Sequence, residues 1–213
     1  MKMGSEAGMK KKFSTSSFFT RYSSFIIRHT VFLFRRYQHT KVLTIDVLFC
    51  CLVLLFLTTP AKAEPTCSDH IIATAPDSSF TIHKDGTVVD NTTGLMWMRC
   101  SLGQIWDGTT CSGRATIFPW AAGLKTAESY EFAGYNDWRL PNKNELESIV
   151  EGRCFSPAIN DEIFPATPVA FFWSSSPYAA ISEGAWSVDF EYGTVIATVK
   201  SGSMHIRLVR TED

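Results

Sequence analysis

The most constrained chemistry in the sequence belongs to its six cysteines. Cys50 and Cys51 fall inside an apolar run, which leaves Cys67, Cys100, Cys111 and Cys154 for a folded part. No C-x-x-C occurs, and the histidines beyond residue 63 (His70, His83, His205) stand singly, so zinc-finger and redox spacings are missing. An even number of thiols in an exported domain favours two disulfides over a metal site. Cys100 and Cys111 flank the Gly- and Thr-bearing segment 101–110 and form the expected local pair. Cys67 with Cys154 follows by exclusion. No metal and no cofactor is expected.

Other reactive types are present without the patterns that would use them. There is no G-x-S-x-G elbow, H-E-x-x-H, phosphate loop or dinucleotide fingerprint. Each of the three histidines has a plain placement: near a new N-terminus, beside a hairpin turn, and in an alternating strand. Asp85 and Asp90 are conceivable calcium ligands, but turn chemistry explains both. The aromatics are less easily set aside, since six tryptophans are present. Trp138 and Trp186 fit a core. Trp106, inside the Cys100/Cys111 loop, is the one expected to be exposed, where an indole can stack on a sugar or a partner side chain. A binding face is therefore expected at Trp106 and Asp107. A second is expected on the outward side of the 185–191 strand, at Asp189 and Glu191.

These residues need a scaffold, and local patterns supply one. Residues 79–83 and 87–90 flank Lys84-Asp85-Gly86 as a hairpin, and Asn91-Thr92-Thr93-Gly94 turns into a third strand at 95–99. A helix is predicted over 119–129, with Trp120, Leu124 and Ala127 on one stripe and Ala121 beside it. Asn142-Lys143-Asn144-Glu145 is a capping-box pattern that opens a second helix through Leu146, Ile149 and Val150, ended by Gly152. Strands follow at 171–176, 185–191 and 194–200. The 203–210 strand closes the chain, with Met204, Ile206 and Leu208 on one face and His205, Arg207 and Val209 on the other. Early strands, central helices and late antiparallel strands make the fold class α+β.

Charge divides the chain in two. Before Glu64 there are ten Lys/Arg against two Asp/Glu; from Glu64 onward ten face nineteen, a net −9. A domain so acidic is not a nucleic-acid binder. Residues 47–57 form an uninterrupted apolar run too short to span a bilayer, followed by Pro60 and the small-x-small pattern Ala61-Lys62-Ala63. Residues 1–63 thus read as a basic leader with a signal peptide, and 64–213 as one domain. An upstream start codon, an organellar transit peptide and an uncleaved anchor are the other readings of the leader.

The motifs from Lys84-Asp85-Gly86-Thr87 through Gly94-Leu95-Met96-Trp97 resemble the opening signature of the Lcl C-terminal domain family. The likeness continues through Trp138-Arg139-Leu140-Pro141-Asn142, Phe172-Trp173-Ser174-Ser175 and Trp186-Ser187-Val188-Asp189-Phe190. It ends in Ile206-Arg207-Leu208-Val209-Arg210 and covers roughly 78–210. The resemblance implies a C-type-lectin-like α+β fold in which N- and C-terminal strands pair, on an exported bacterial envelope protein. The family's namesake is a collagen-like adhesin of Legionella that binds sulfated polysaccharides through a basic surface. The net −9 of residues 64–213 argues against a polyanionic polysaccharide here. The expected function is a non-enzymatic binding or adhesion module for a glycan or a cell-envelope protein. The rivals are a structural accessory of a pilus or matrix, and an enzyme akin to the formylglycine-generating group, which uses reactive cysteines.

Overall fold

Asp85 and Gly86 turn the chain as their chemistry dictates. Asp85 Oδ1 accepts from the Thr87 N–H at 2.9 Å and its hydroxyl at 2.7 Å, and Gly86 takes a left-handed φ of 89°. The turn joins β2 (Phe80–Ile82) to β3 (Thr87–Asp90). At the next turn Asp90 accepts from the Thr92 N–H and the Thr93 hydroxyl, and β4 (Leu95–Met98) follows. Asp85 and Asp90 both spend their carboxylates on their own turns. The C-terminal strand β13 (Val209–Thr211) then pairs with β4, giving a four-stranded antiparallel sheet of order β13-β4-β3-β2. The structure, a computed structural model, describes residues 64–212; the leader lies outside the described residues.

The second sheet is a three-stranded meander of β9 (Phe171–Pro177), β10 (Gly184–Asp189) and β11 (Thr194–Val199), in the order β11-β10-β9. Three short strand pairs complete the scaffold's edges. Strand β1 (Thr66–Cys67) pairs β8 (Cys154–Phe155), β5 (Ile105–Trp106) pairs β6 (Cys111–Ser112), and β7 (Phe118–Pro119) pairs β12 (Ser203–Met204). Both disulfides form as expected, Cys67 with Cys154 and Cys100 with Cys111. The α+β class holds.

Helix α1 (Trp120–Glu128) and helix α2 (Lys143–Ser148) are where the patterns put them. Trp120 and Leu124 pack beside buried Ala127, but Ala121 is exposed and Gly123 takes the inner position, 3.4 Å (as a built Cβ) from Ile206. In α2 the capping box is complete. Asn142 Oδ1 accepts from the Glu145 N–H, and Glu145 Oε2 accepts from the Asn142 N–H at 2.7 Å. This helix stops at Ile149 rather than at Gly152, because Val150 leaves to bridge Ile159.

Two further expectations change on contact with the tertiary structure. The 203–210 stretch is not one strand. It passes partners in turn: Met204 to Phe118, the Ile206 carbonyl to the Leu102 N–H, the Leu208 carbonyl to the Met98 N–H, and Val209 to Trp97 and Arg139. Both of its faces are therefore covered. In β10 the register against β9 shifts between Ala185 and Ser187. This bulge leaves Trp186 half-buried, edge-on to Tyr178 at 5.0 Å, while Ser187 and Asp189 are buried.

Apolar side chains fill two clusters, one around Trp97, Leu146, Phe164, Phe172 and Phe190, the other around Trp138, Trp173, Ile206 and Leu208. Beside them lies Arg207, fully buried. Its guanidinium donates to the Met98 carbonyl (3.0 Å), the Arg99 carbonyl, Ser101 Oγ (3.4 Å) and Thr167 Oγ1 (2.7 Å), and sits 4.8 Å from the Phe164 ring. Arg99, also buried, donates to the Ile163 and Glu162 carbonyls. Arg207 is thus solvated mainly by backbone oxygens. Its residue type was visible in the sequence, but nothing in the local pattern marked it as interior.

Candidate functional site

The segment that follows Arg99 is the best-braced irregular surface in the domain. Cys100 and Cys111 close it covalently. Gln104 bonds across its own turn to the Ser101 N–H through Oε1, and reaches through Nε2 to the Ala166 carbonyl at 2.9 Å. The Thr116 N–H donates to the Leu102 carbonyl at 2.8 Å, which folds the strand after the disulfide back against the loop. From the far side His205 donates through Nδ1 to the Thr116 carbonyl at 3.1 Å. Every anchor is a hydrogen bond to a fixed backbone, so the loop is held in one shape.

Side-chain alternation along β5 decides what this loop shows to solvent. Trp106 is half-buried against the hairpin turn rather than fully exposed as expected. Its indole N–H donates to the Lys84 carbonyl at 3.0 Å, and Arg99 stacks 4.4 Å from the ring centroid. A Cβ on Gly86 would stand 2.7 Å from Trp106 Cγ, so the indole lies directly on the hairpin turn. Ile105, the next residue along, is on the opposite face and 69% exposed. Beyond the disulfide, Ile117 is 53% exposed. Arg114, Ala115, Thr116, Ile117 and His205 line a shallow concavity of about 380 Å³. Burial, opposed by the Thr116 bond, lowers the His205 pKa from 6.5, so the ring there is a neutral imidazole at neutral pH.

The other expected site residues are placed as follows. Asp107 is exposed at the loop tip, but its Oδ1 accepts from the Thr110 N–H, the Thr109 N–H and the Thr109 hydroxyl, bonds that lower its pKa. Asp189 does not face outward. It is 7% exposed and accepts from the Glu191 N–H at 2.9 Å, turning the β10–β11 hairpin. Glu191 is half-buried and hydrogen-bonds Tyr192, a contact that raises the phenol pKa. The Trp106/Asp107 pair and the Asp189/Glu191 pair are on different hairpins, and no contact joins them. Among the described residues no group of three or more His, Cys, Asp or Glu side chains forms a metal cluster. The residues missed by sequence reasoning are Ile105, Arg114, Ile117 and His205. The signal for Ile105 was its place next to Trp106 in a two-residue strand, where only one of the pair can turn inward.

An antiparallel α+β domain pinned by two disulfides defines a class of small protein suited to an oxidising compartment, extracellular or periplasmic. Within that class, the family model described as the Lcl C-terminal domain matches residues 86–210, and the chain belongs to that family. A search of curated proteins finds no match.

Proposed function

We propose that this protein is an exported, non-enzymatic binding module that takes a cell-envelope protein on its disulfide-braced loop. The leader pattern at residues 1–63 would route it out of the cytosol. One observation carries the reading. A loop locked by a disulfide and by hydrogen bonds to distant segments exposes Ile105, and the segment just beyond it exposes Ile117, two large apolar side chains that the fold has no internal need to expose. Rigid loops bearing apolar anchors are what protein recognition uses, because little conformational entropy is lost on docking.

The glycan alternative is weaker on the same geometry. Sugar stacking needs a free aromatic face, and Trp106 has Arg99 on its ring and Gly86 beneath it. A polyanionic glycan is weaker still. Three bases (Arg99, Arg207, Arg210) and three acids (Asp90, Glu151, Asp189) are buried, so the exposed surface keeps the acidic excess that the composition gives. Among the described residues all four cysteines are paired, which argues against chemistry of the formylglycine-generating type in the folded domain. The C-type-lectin-like reading expects N- and C-terminal strands to pair; here β13 closes onto β4 in the sheet of early strands, while β1 pairs β8.

The test is capture from an envelope extract by the exported protein, alongside the Ile105→Asp/Ile117→Asp variant and a glycan array. A retained envelope protein that the double variant loses, with a blank array, supports the reading. Glycan binding, or capture indifferent to the double variant, overturns it.

A further inference from the structure

Strand β11 is an open sheet edge. It pairs β10 on one side, and among the described residues no strand lies on the other. The register shows which of its backbone groups are free. The Lys200 N–H donates to the Glu183 carbonyl at 2.7 Å, marking Lys200/Glu183 as a hydrogen-bonded pair in the same register as Val199↔Gly184. Antiparallel pairs alternate, so Thr198, Ile196 and Thr194 also turn their N–H and C=O toward β10. On β10's other side, the Phe190 N–H bonds to the Ala170 carbonyl, so Phe190 and Val188 face β9 while Asp189 and Ser187 face β11. Val195, Ala197 and Val199 therefore direct their peptide groups away from the sheet. Val199's carbonyl is taken by the Gly202 N–H, which leaves Val195 and Ala197 with both groups open.

The usual defences of an edge are missing. Thr194–Val199 contains no charge, no proline and no bulge, and every residue is Thr, Val, Ile or Ala. Ile196 is 39% and Val199 57% exposed. Natural edges of this length and composition are normally blunted unless they have something to pair with.

We propose that β11 pairs with β11 of a second copy of this chain, antiparallel across a two-fold axis at Ile196, so that two three-stranded sheets become one of six strands. The parity of the free groups selects this arrangement. A hydrogen-bonded pair must join two outward-facing residues, which excludes any axis lying between two residues. With the axis at Ile196, Val195 faces Ala197 in both senses and four backbone hydrogen bonds close. Thr194 then faces Thr198 and Ile196 faces its own copy. Thr194–Val199 carries no charge, so the seam sets no like charges against each other. An acidic domain needs such a neutral, self-matched seam to meet its copy at all. The reading is independent of the ligand assigned to the disulfide loop.

The experiment uses the exported full-length gene product, with Cys50→Ser and Cys51→Ser to remove leader thiols. Sedimentation over a concentration series should show a reversible dimer. Ile196→Lys, a change at a solvent-facing position that sets like charges on the axis, should weaken that dimer by about tenfold or more. Under mild oxidation Ile196→Cys should give a disulfide-linked dimer, since facing residues of a non-hydrogen-bonded pair lie close enough to bridge. Val199→Cys, facing Gly193, should not. A protein that stays monomeric with a free thiol at position 196 overturns the proposal. So does a dimer indifferent to Ile196→Lys, or an edge filled only by another protein's strand.

Discussion

Arg207 concentrates the electrostatic cost of this interior. Burial, with the neighbouring charge of Arg99 adding, pushes its pKa down to about 9. The folded-state value lies below the ordinary guanidinium range, so the associated stability is full where the group is neutral in both states, is lost as pH falls from that range and is gone by about 9. At lower pH the group is charged in both states and its contribution is flat. Arg207→Met keeps much of the volume but strips the Met98 and Arg99 carbonyls and Thr167 of their donor. It should lower unfolding free energy by about 2–4 kcal/mol in denaturant titration, and a change under about 0.5 kcal/mol would show that these acceptors do not need the guanidinium. Gly86 is constrained twice, by φ 89° and by the Trp106 indole. Gly86→Ala should destabilise by about 1–3 kcal/mol and shift tryptophan emission as Trp106 is displaced. Unchanged emission would mean that the indole does not lie on the turn.

Among the elements, α2 shows local and tertiary signals working together. Burial acts to raise the Glu145 pKa, but hydrogen bonds from Arg139 (2.8 and 2.9 Å) and Asn142 outweigh it and the net shift is downward from 4.5. A depressed carboxylate pKa means stability that is complete above 4.5 and lost as pH falls below it. Glu145→Gln should therefore lower Tm near neutral pH and shrink the fall in Tm on acidification below pH 4.5. An acid profile parallel to the parent's would refute the coupling. The capping box, the α1 stripe and the two Asp-turn hairpins were legible in sequence because each is decided within a few residues. The covered second face of 203–210, the bulge that turns Trp186 out, and the half-buried Trp106 were not. Each is set by a segment far along the chain, to which periodicity is blind. The site was less legible than the fold for the same reason: Ile117 and His205 come to line one concavity only after the segment around Thr116 folds back. The motifs that mark the family include the largest interior side chains: Trp97, Trp138, Trp173 and Arg207 are all buried. They report how the chain packs.

Two devices tie the N-terminal strap to the rest of the domain. Cys67–Cys154 spans 87 residues, and the buried Glu151 carboxylate accepts from the Thr74, Ala75 and Arg153 N–H groups. In the chain-entropy picture so long a loop is worth on the order of 4 kcal/mol, against about 3 kcal/mol or less for the 11-residue Cys100–Cys111 loop. Cys67→Ser/Cys154→Ser should accordingly lose more Tm than Cys100→Ser/Cys111→Ser in differential scanning calorimetry, whereas only the second pair should release the Trp106 loop. The reverse ranking would mean that strain or residual unfolded-state structure dominates.

The interior also has an order of assembly. Ile206, Arg207, Leu208 and Val209 are fully buried, and they follow in sequence the core segments they pack against. Until those residues exist, β4 lacks its neighbour and the carbonyls of Met98 and Arg99 lack their donor. A nascent chain has no finished centre to close around, however long the segment already made. It stays pliable through synthesis, the condition a polypeptide needs to be threaded through a narrow channel before it hardens on the far side.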